Sequence, residues 1–117
     1  MIIKAITYKD FNGNERTENH CFHLSRLDRT KLTAKYNLQK VIDGEEELTD
    51  SYQIITILDE MIIKSHGVRS DDGKRFQRDD AFADSAAYEA LMNELLFGED
   101  TIEKVTAFIK GIIGEDA

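Results

Sequence analysis

The sequence contains no proline in 117 residues, so the reversals and stops that proline usually shares with glycine fall on seven glycines. Each glycine is therefore a candidate boundary. Residues 2–9, IIKAITYK, and 16–24, RTENHCFHL, are rich enough in β-branched and aromatic residues to read as strands. Between them Asn12-Gly13 supplies two residues that tolerate positive φ, the mark of a tight hairpin turn. An N-terminal β-hairpin over about 2–24 is the first expectation.

The remainder reads as helices. Ser25 with Asp28 three positions on has the form of a capping box, and Leu27, Leu32, Tyr36, Leu38 and Val41 make an irregular apolar stripe as far as Gly44. From about residue 50, Ile54, Ile55, Leu58, Met61 and Ile62 give a wide apolar face, with Gly67 at the expected left-handed cap. A third helix is predicted from Phe82 to Phe97, with Tyr88, Leu91, Met92, Leu95 and Leu96 on one face and Gly98 beyond its end. The fourth opens at Asp100, with Glu103 as reciprocal cap, and carries Ile102, Val105, Phe108, Ile109, Ile112 and Ile113. Two strands followed by helices predict an α+β fold, mostly helical, with the hairpin beside a cluster of about four helices spanning about 26–114. The whole, 1–117, is expected to be a single domain. A lone hairpin is marginal, so its apolar face needs a helix or a second copy of the chain to cover it; both arrangements are open at this level.

Composition narrows the function. Residues 1–42 hold eight Lys and Arg against four Asp and Glu, while residues 43–117 hold seven against nineteen, for a net charge of −8. Nucleic-acid binding draws on a basic face that releases counterions, so the acidic C-terminal portion argues against it. The apolar run IITILDEMII is interrupted by Asp59 and Glu60 and falls short of the ~20 residues of a membrane span. The single Cys21 cannot close an intrachain disulfide, and no charged-then-apolar leader opens MIIKAITYKD; a cytoplasmic setting is expected.

Particular residues suggest three chemistries. SHGVRSDDGKRF, residues 65–76, resembles a phosphate loop. Gly67 and Gly73 are separated by five residues instead of four, Arg75 stands where a magnesium-binding hydroxyl belongs, and Asp71 and Asp72 would repel phosphate. Gly67 as a cap and Gly73 as a turn toward the third helix is the better reading. His20, Cys21 and His23 invite a metal, but strand residues three apart point to opposite faces, so the two histidines cannot chelate one ion. No nucleophile–base motif surrounds Cys21, and acidic runs such as GEEEL at 44–48 read as solvated surface. No catalytic, metal or cofactor-binding residue is assigned.

The final helix leans toward binding, because six large apolar residues fall within a dozen positions and form either core or a groove-docking face. Gly111 inside it costs about 1 kcal/mol relative to alanine, an expected point of bending or detachment. ITYKDFNGNERTE followed by FHLS, then IIKSHGVRSDDGKRF, AYEALMNEL and AFIKGII resemble, in order and spacing, the tail assembly chaperones of long-tailed, siphovirus-type bacteriophages. The resemblance implies a non-enzymatic protein, without cofactor, that binds the aggregation-prone tape measure protein and keeps it soluble until tail tube subunits polymerise around it. It also implies action in the cytoplasm of the infected bacterium, absence from the mature virion, and a longer form made by programmed frameshifting. A chaperone of this kind needs exposed apolar surface together with net charge. Leu95, Leu96, Phe97, Phe108, Ile109, Ile112 and Ile113 are the expected contact or self-association residues. Two other classes stay open on sequence: a tail-tube or tail-completion component, and an acidic inhibitor that imitates nucleic acid.

Overall fold

The two N-terminal runs pair as their composition predicts. β1 (Ile2–Lys9) and β2 (Glu15–Phe22) are antiparallel in unbroken register, from Ile2 opposite Phe22 to Lys9 opposite Glu15. The computed structural model describes residues 1–114, so the acids at 115 and 116 lie outside the described residues. Gly13 turns the hairpin at φ 84°. Asp10 closes it, its carboxylate accepting the amides of Asn12 and Asn14 at 3.0 and 2.9 Å and the Arg16 Nε–H at 2.6 Å.

Ser25 caps α1 (Arg26–Tyr36) by accepting the Asp28 amide at 3.1 Å. The Asp28 carboxylate does not complete the box; it takes Arg78 at 2.8 Å from across the sheet. The single helix expected to reach Gly44 is in fact two. Asn37 adopts the left-handed conformation at φ 56° and ends α1, and the short α2 (Gln39–Ile42) restarts the chain at a new angle. That break explains the irregular stripe: Leu32 reaches the core from α1, Leu38 and Val41 from α2 and its approach. Asp50 then caps α3 (Ser51–Ser65), which buries Ile54, Ile57, Leu58, Met61 and Ile62. Ile55, expected on this face, is 44 % exposed; fully buried Ile57 takes its place.

Gly67 is not a helix cap. α3 ends at Ser65 and passes directly into β3 (His66–Arg69), which turns at Gly73 into β4 (Phe76–Arg78). The sheet thus has four strands in the order β1-β2-β3-β4, all antiparallel, where a single hairpin was expected. Glycine is demanded at 67 by proximity. A Cβ there would stand 2.3 Å from the Gln77 carbonyl oxygen and 2.7 Å from the Phe76 ring.

The chain then makes a 3₁₀ turn at Phe82–Asp84, where the third helix was expected to begin, and Ser85 caps α4 (Ala86–Leu96) by accepting the Tyr88 amide. α5 (Thr101–Ile113) follows. Asp100 precedes it in the left-handed conformation, φ 59°, and its side chain caps nothing, so the expected pairing with Glu103 is not made. Gly111 sits where α5 crosses β1, and a Cβ there would meet the Ile2 Cδ1 methyl at 2.7 Å. Half of the residues are helical and a fifth lie in strands, the α+β class the sequence predicts. Among the described residues no helix is long and apolar enough to cross a membrane.

The core gathers around Phe22 on β2. Its ring meets Phe82 and Phe108 edge-on, with centroids 6.2 and 5.8 Å away, and touches His66, which stacks on Phe82 at 3.6 Å. Fully burying each such side chain contributes about 1.5–3 kcal/mol. Around this centre lie Leu91 and Leu95 from α4 and Val105, Ile109 and Ile112 from α5.

The two tight glycines predict different outcomes. Gly67→Ala forces backbone apart and should destabilise the fold by on the order of 2 kcal/mol or more in denaturant unfolding. Gly111→Ala meets only the end of a movable side chain while gaining about 1 kcal/mol of helix propensity, so it should stay within about 1 kcal/mol of wild type. Equal losses at both positions would refute this account.

Candidate functional site

The segment that resembles a phosphate loop is a self-satisfied hairpin turn. Ser70 and Arg75 close it by a backbone bond of 2.8 Å, and the Asp72 carboxylate accepts the Lys74 amide at 3.0 Å and the Ser70 hydroxyl at 2.7 Å. The Arg75 amide is taken by Ser70 Oγ at 3.0 Å. Amides that would cradle a phosphate are already occupied, and their own carboxylate holds the place.

The apolar candidates lie elsewhere. Of the seven residues expected at a contact surface, Leu95, Phe108, Ile109, Ile112 and Ile113 are buried, Leu96 is half-buried, and Phe97, at the C-terminal cap of α4, is 68 % exposed. Two of them, Leu95 and Phe108, line a cleft of about 360 Å³ with Ile2, Ile3 and Ala107. Neighbouring strand residues point to opposite faces of a sheet, so a cleft lined by both Ile2 and Ile3 opens at the sheet's edge. β1 is one of the two edge strands. Ile3 itself is 63 % exposed.

The rim of this cleft is held by charges. Lys4 on β1 pairs with Glu94 on α4 at 3.2 Å, and Lys104 on α5 donates to the Glu94 carbonyl at 2.8 Å. These contacts tie β1, α4 and α5 to one another around an apolar floor. Exposed ion pairs of this kind add little stability. The result is an apolar slot with a charged border, of a shape and chemistry that suit a hydrophobic side chain or helix ridge.

The histidines make a second cluster, one the sequence did not reveal. His20 and His23 do diverge as strand alternation requires: His23 lies edge-on to Phe76, whereas His20 turns inward. There it meets His66, 46 residues away, with Nδ1 of His20 2.9 Å from Nε2 of His66. The outer nitrogens face carboxylates, His20 Nε2 lying 3.3 Å from Glu18 and His66 Nδ1 3.4 Å from Asp79, and Tyr8 donates to Glu18 at 2.6 Å. Burial first, then the neighbouring His20, lowers the His66 pKa to about 4 against the pull of Asp79. Among the described residues no group of three or more His, Cys, Asp or Glu is placed to hold a metal ion. The pairing of β2 with β3 creates this cluster, so only a reading that had found β3 would have found it.

A family model described as phage tail assembly chaperone matches residues 1–117, the whole chain. No curated protein and no solved structure matches it.

The buried imidazole has a measurable consequence. In the unfolded chain His66 titrates near 6.5, in the fold near 4. Between those values the unfolded state takes up a proton that the folded state refuses, so stability is complete above pH 6.5 and falls on the order of 3 kcal/mol as pH drops to 4. Glu60 acts in a lower window. Burial pushes it up, but hydrogen bonds from Lys35, Tyr36 and Lys64 outweigh that and hold it at about 2, so its contribution is lost from about 4.5 downward. Melting temperature should fall more steeply between pH 6.5 and 4 in the wild type than in His66→Phe, which keeps the slope due to His23, whose pKa burial also lowers; parallel slopes would remove His66 as the cause.

Proposed function

The chain belongs to the phage tail assembly chaperone family, and from that premise we propose that it binds its phage's tape measure protein and keeps that protein soluble during tail assembly. The role is binding, not catalysis. It is exercised in the cytoplasm of the infected bacterium, before tail tube subunits enclose the tape measure protein, and the chaperone stays out of the finished virion. On this reading the chain acts as one domain and corresponds to the shorter product of a frameshifted gene, or to the part both products share.

The observation that carries the reading is the family match along the entire chain. The cleft gives it a physical basis. A long helical chain that aggregates does so through apolar ridges, and a slot walled by Ile2, Ile3, Leu95, Ala107 and Phe108 can cover such a ridge. Ile3 extends the apolar surface of the cleft into solvent, Phe97 at the end of α4 is likewise exposed, and the net charge of −8 opposes self-association while such surface is open. Of the expected contact residues, Leu95, Phe97 and Phe108 would touch the partner, and Leu96, Ile109, Ile112 and Ile113 would support them from behind.

Co-expression with the tape measure protein of the same genome tests this. The wild type should raise the partner's soluble yield and co-purify with it. The exposed-residue variant Ile3→Asp/Phe97→Asp should fold normally and recover roughly tenfold less partner, a loss of about 1.4 kcal/mol. A wild type that neither raises the yield nor co-purifies defeats the function; a variant as effective as the wild type defeats the cleft alone.

A further inference from the structure

Lys104 on α5 lines the apolar cleft, half-buried, and its charge is not answered by an acid. Ion pairs of lysine and arginine among the described residues engage Lys4, Arg16, Lys35, Lys40, Lys64 and Arg78; the acids nearest Lys104 in sequence, Asp100 and Glu103, do not take it. What the ammonium holds is the Glu94 carbonyl at 2.8 Å, one of those that the end of α4 leaves without a helical partner. A helix end offers only about half an elementary negative charge, and an ammonium has three donors, so Lys104 keeps both positive charge and unused N–H groups. Glu94, the one carboxylate in the lining, is engaged by Lys4 at 3.2 Å. The lining therefore carries two positive charges against one negative, on a chain whose net charge is −8.

We propose that Lys104 selects the partner: the cleft takes an α-helical segment that presents a hydrophobic residue to the apolar floor and, one helical turn away, a Glu or Asp to Lys104. The proposal rests on the reading of the cleft as the docking site for an aggregation-prone helical protein. Residues three or four apart on a helix share a face with Cβ atoms about 5–6 Å apart, so a side chain seated on Leu95 and Phe108 brings its acidic neighbour to the rim. The ammonium stands 3.9 Å from where a Cβ on Gly98 would be, at the α4–α5 corner just after exposed Phe97. An acid bound there completes the coordination of a lysine that already closes the end of α4. A helix with Lys or Arg in the same place meets Lys4 and Lys104 as like charges, so the rim discriminates by sign while the floor supplies affinity.

The test uses the full chain and overlapping peptides, capped at both ends, that cover the tape measure protein of the same genome, with binding read by fluorescence anisotropy. Peptides that bind should carry the apolar residue and the acid at a spacing of three or four. Changing that acid to its amide should weaken binding by the wild type roughly tenfold, leave binding by Lys104→Gln unchanged, and weaken binding by Lys104→Arg as in the wild type. Because Lys104 also closes the end of α4, Lys104→Gln that lowers the melting temperature and weakens acid and amide peptides alike assigns it a structural role only and overturns the proposal. If no peptide binds, the docking reading falls and the proposal with it. If peptides bind and Ile3→Asp abolishes binding, yet acid and amide forms bind the wild type equally, the docking reading stands and the selection by Lys104 falls. A wild type that dimerises through Lys104 without peptide overturns the choice of partner and makes a second copy of the chain the occupant.

Discussion

The structure depends on the junction of Phe22 with His66. β2 and β3 are joined by only two residue pairs, Cys21 with Gly67 and Phe22 with His66, extended by the His23 amide to the Ser65 carbonyl at 2.8 Å. So short a ladder is weak by itself. It holds because the Phe22 ring is fully enclosed by His66, Phe82 and Phe108, which arrive from β3, the 3₁₀ turn and α5. One side chain thereby fastens the N-terminal hairpin to three later elements. The imidazole at its side loses its charge to that burial and acts as an aromatic surface stacked on Phe82.

α3 is secured differently on its outer side. The acids that interrupt its apolar run each accept a tyrosine hydroxyl from another helix: Asp59 that of Tyr88 on α4, Glu60 that of Tyr36 on α1. Burial, reinforced by Asp59, drives the Tyr88 pKa well above its usual value, and Glu60 also gathers Lys35 and Lys64. The two residues that make IITILDEMII unfit for a membrane are those that orient α3 between its neighbours. A polar pair in an apolar segment is thus a docking device as well as a solubilising one.

What could be read from sequence followed from local chemistry. The Asn12-Gly13 hairpin, the Ser25 cap and the apolar stripe of α5 are each set by residues within a turn or two, and each was legible. The α1–α2 break was not, because Asn37 in a left-handed turn lacks the glycine that usually announces one. β3 and β4, at four and three residues, are too short to establish a period, and Gly67 resembled a helix cap because its need for a bare backbone comes from Gln77. The candidate sites were the least legible. Hydrophobicity marks Leu95 and Phe108 as contact candidates, but the cleft they line needs Ile2 and Ile3 from the far end of the chain. His66, in sequence a lone histidine near a helix end, becomes notable only beside His20.

α5 borders the apolar cleft through Ala107 and Phe108. Its interior glycine would be a point of bending if the helix were exposed. Here Gly111 rests against Ile2, whose other contacts line the apolar cleft, and Val105, Ile109 and Ile112 on the same helix are buried. Bending or releasing α5 would uncover these side chains at about 1.5–3 kcal/mol each, far more than the roughly 1 kcal/mol that glycine costs the helix. Packing decides, and the helix stays seated. The cleft between β1, α4 and α5 is therefore walled by a seated helix, and a partner bound there as proposed would meet a preformed surface.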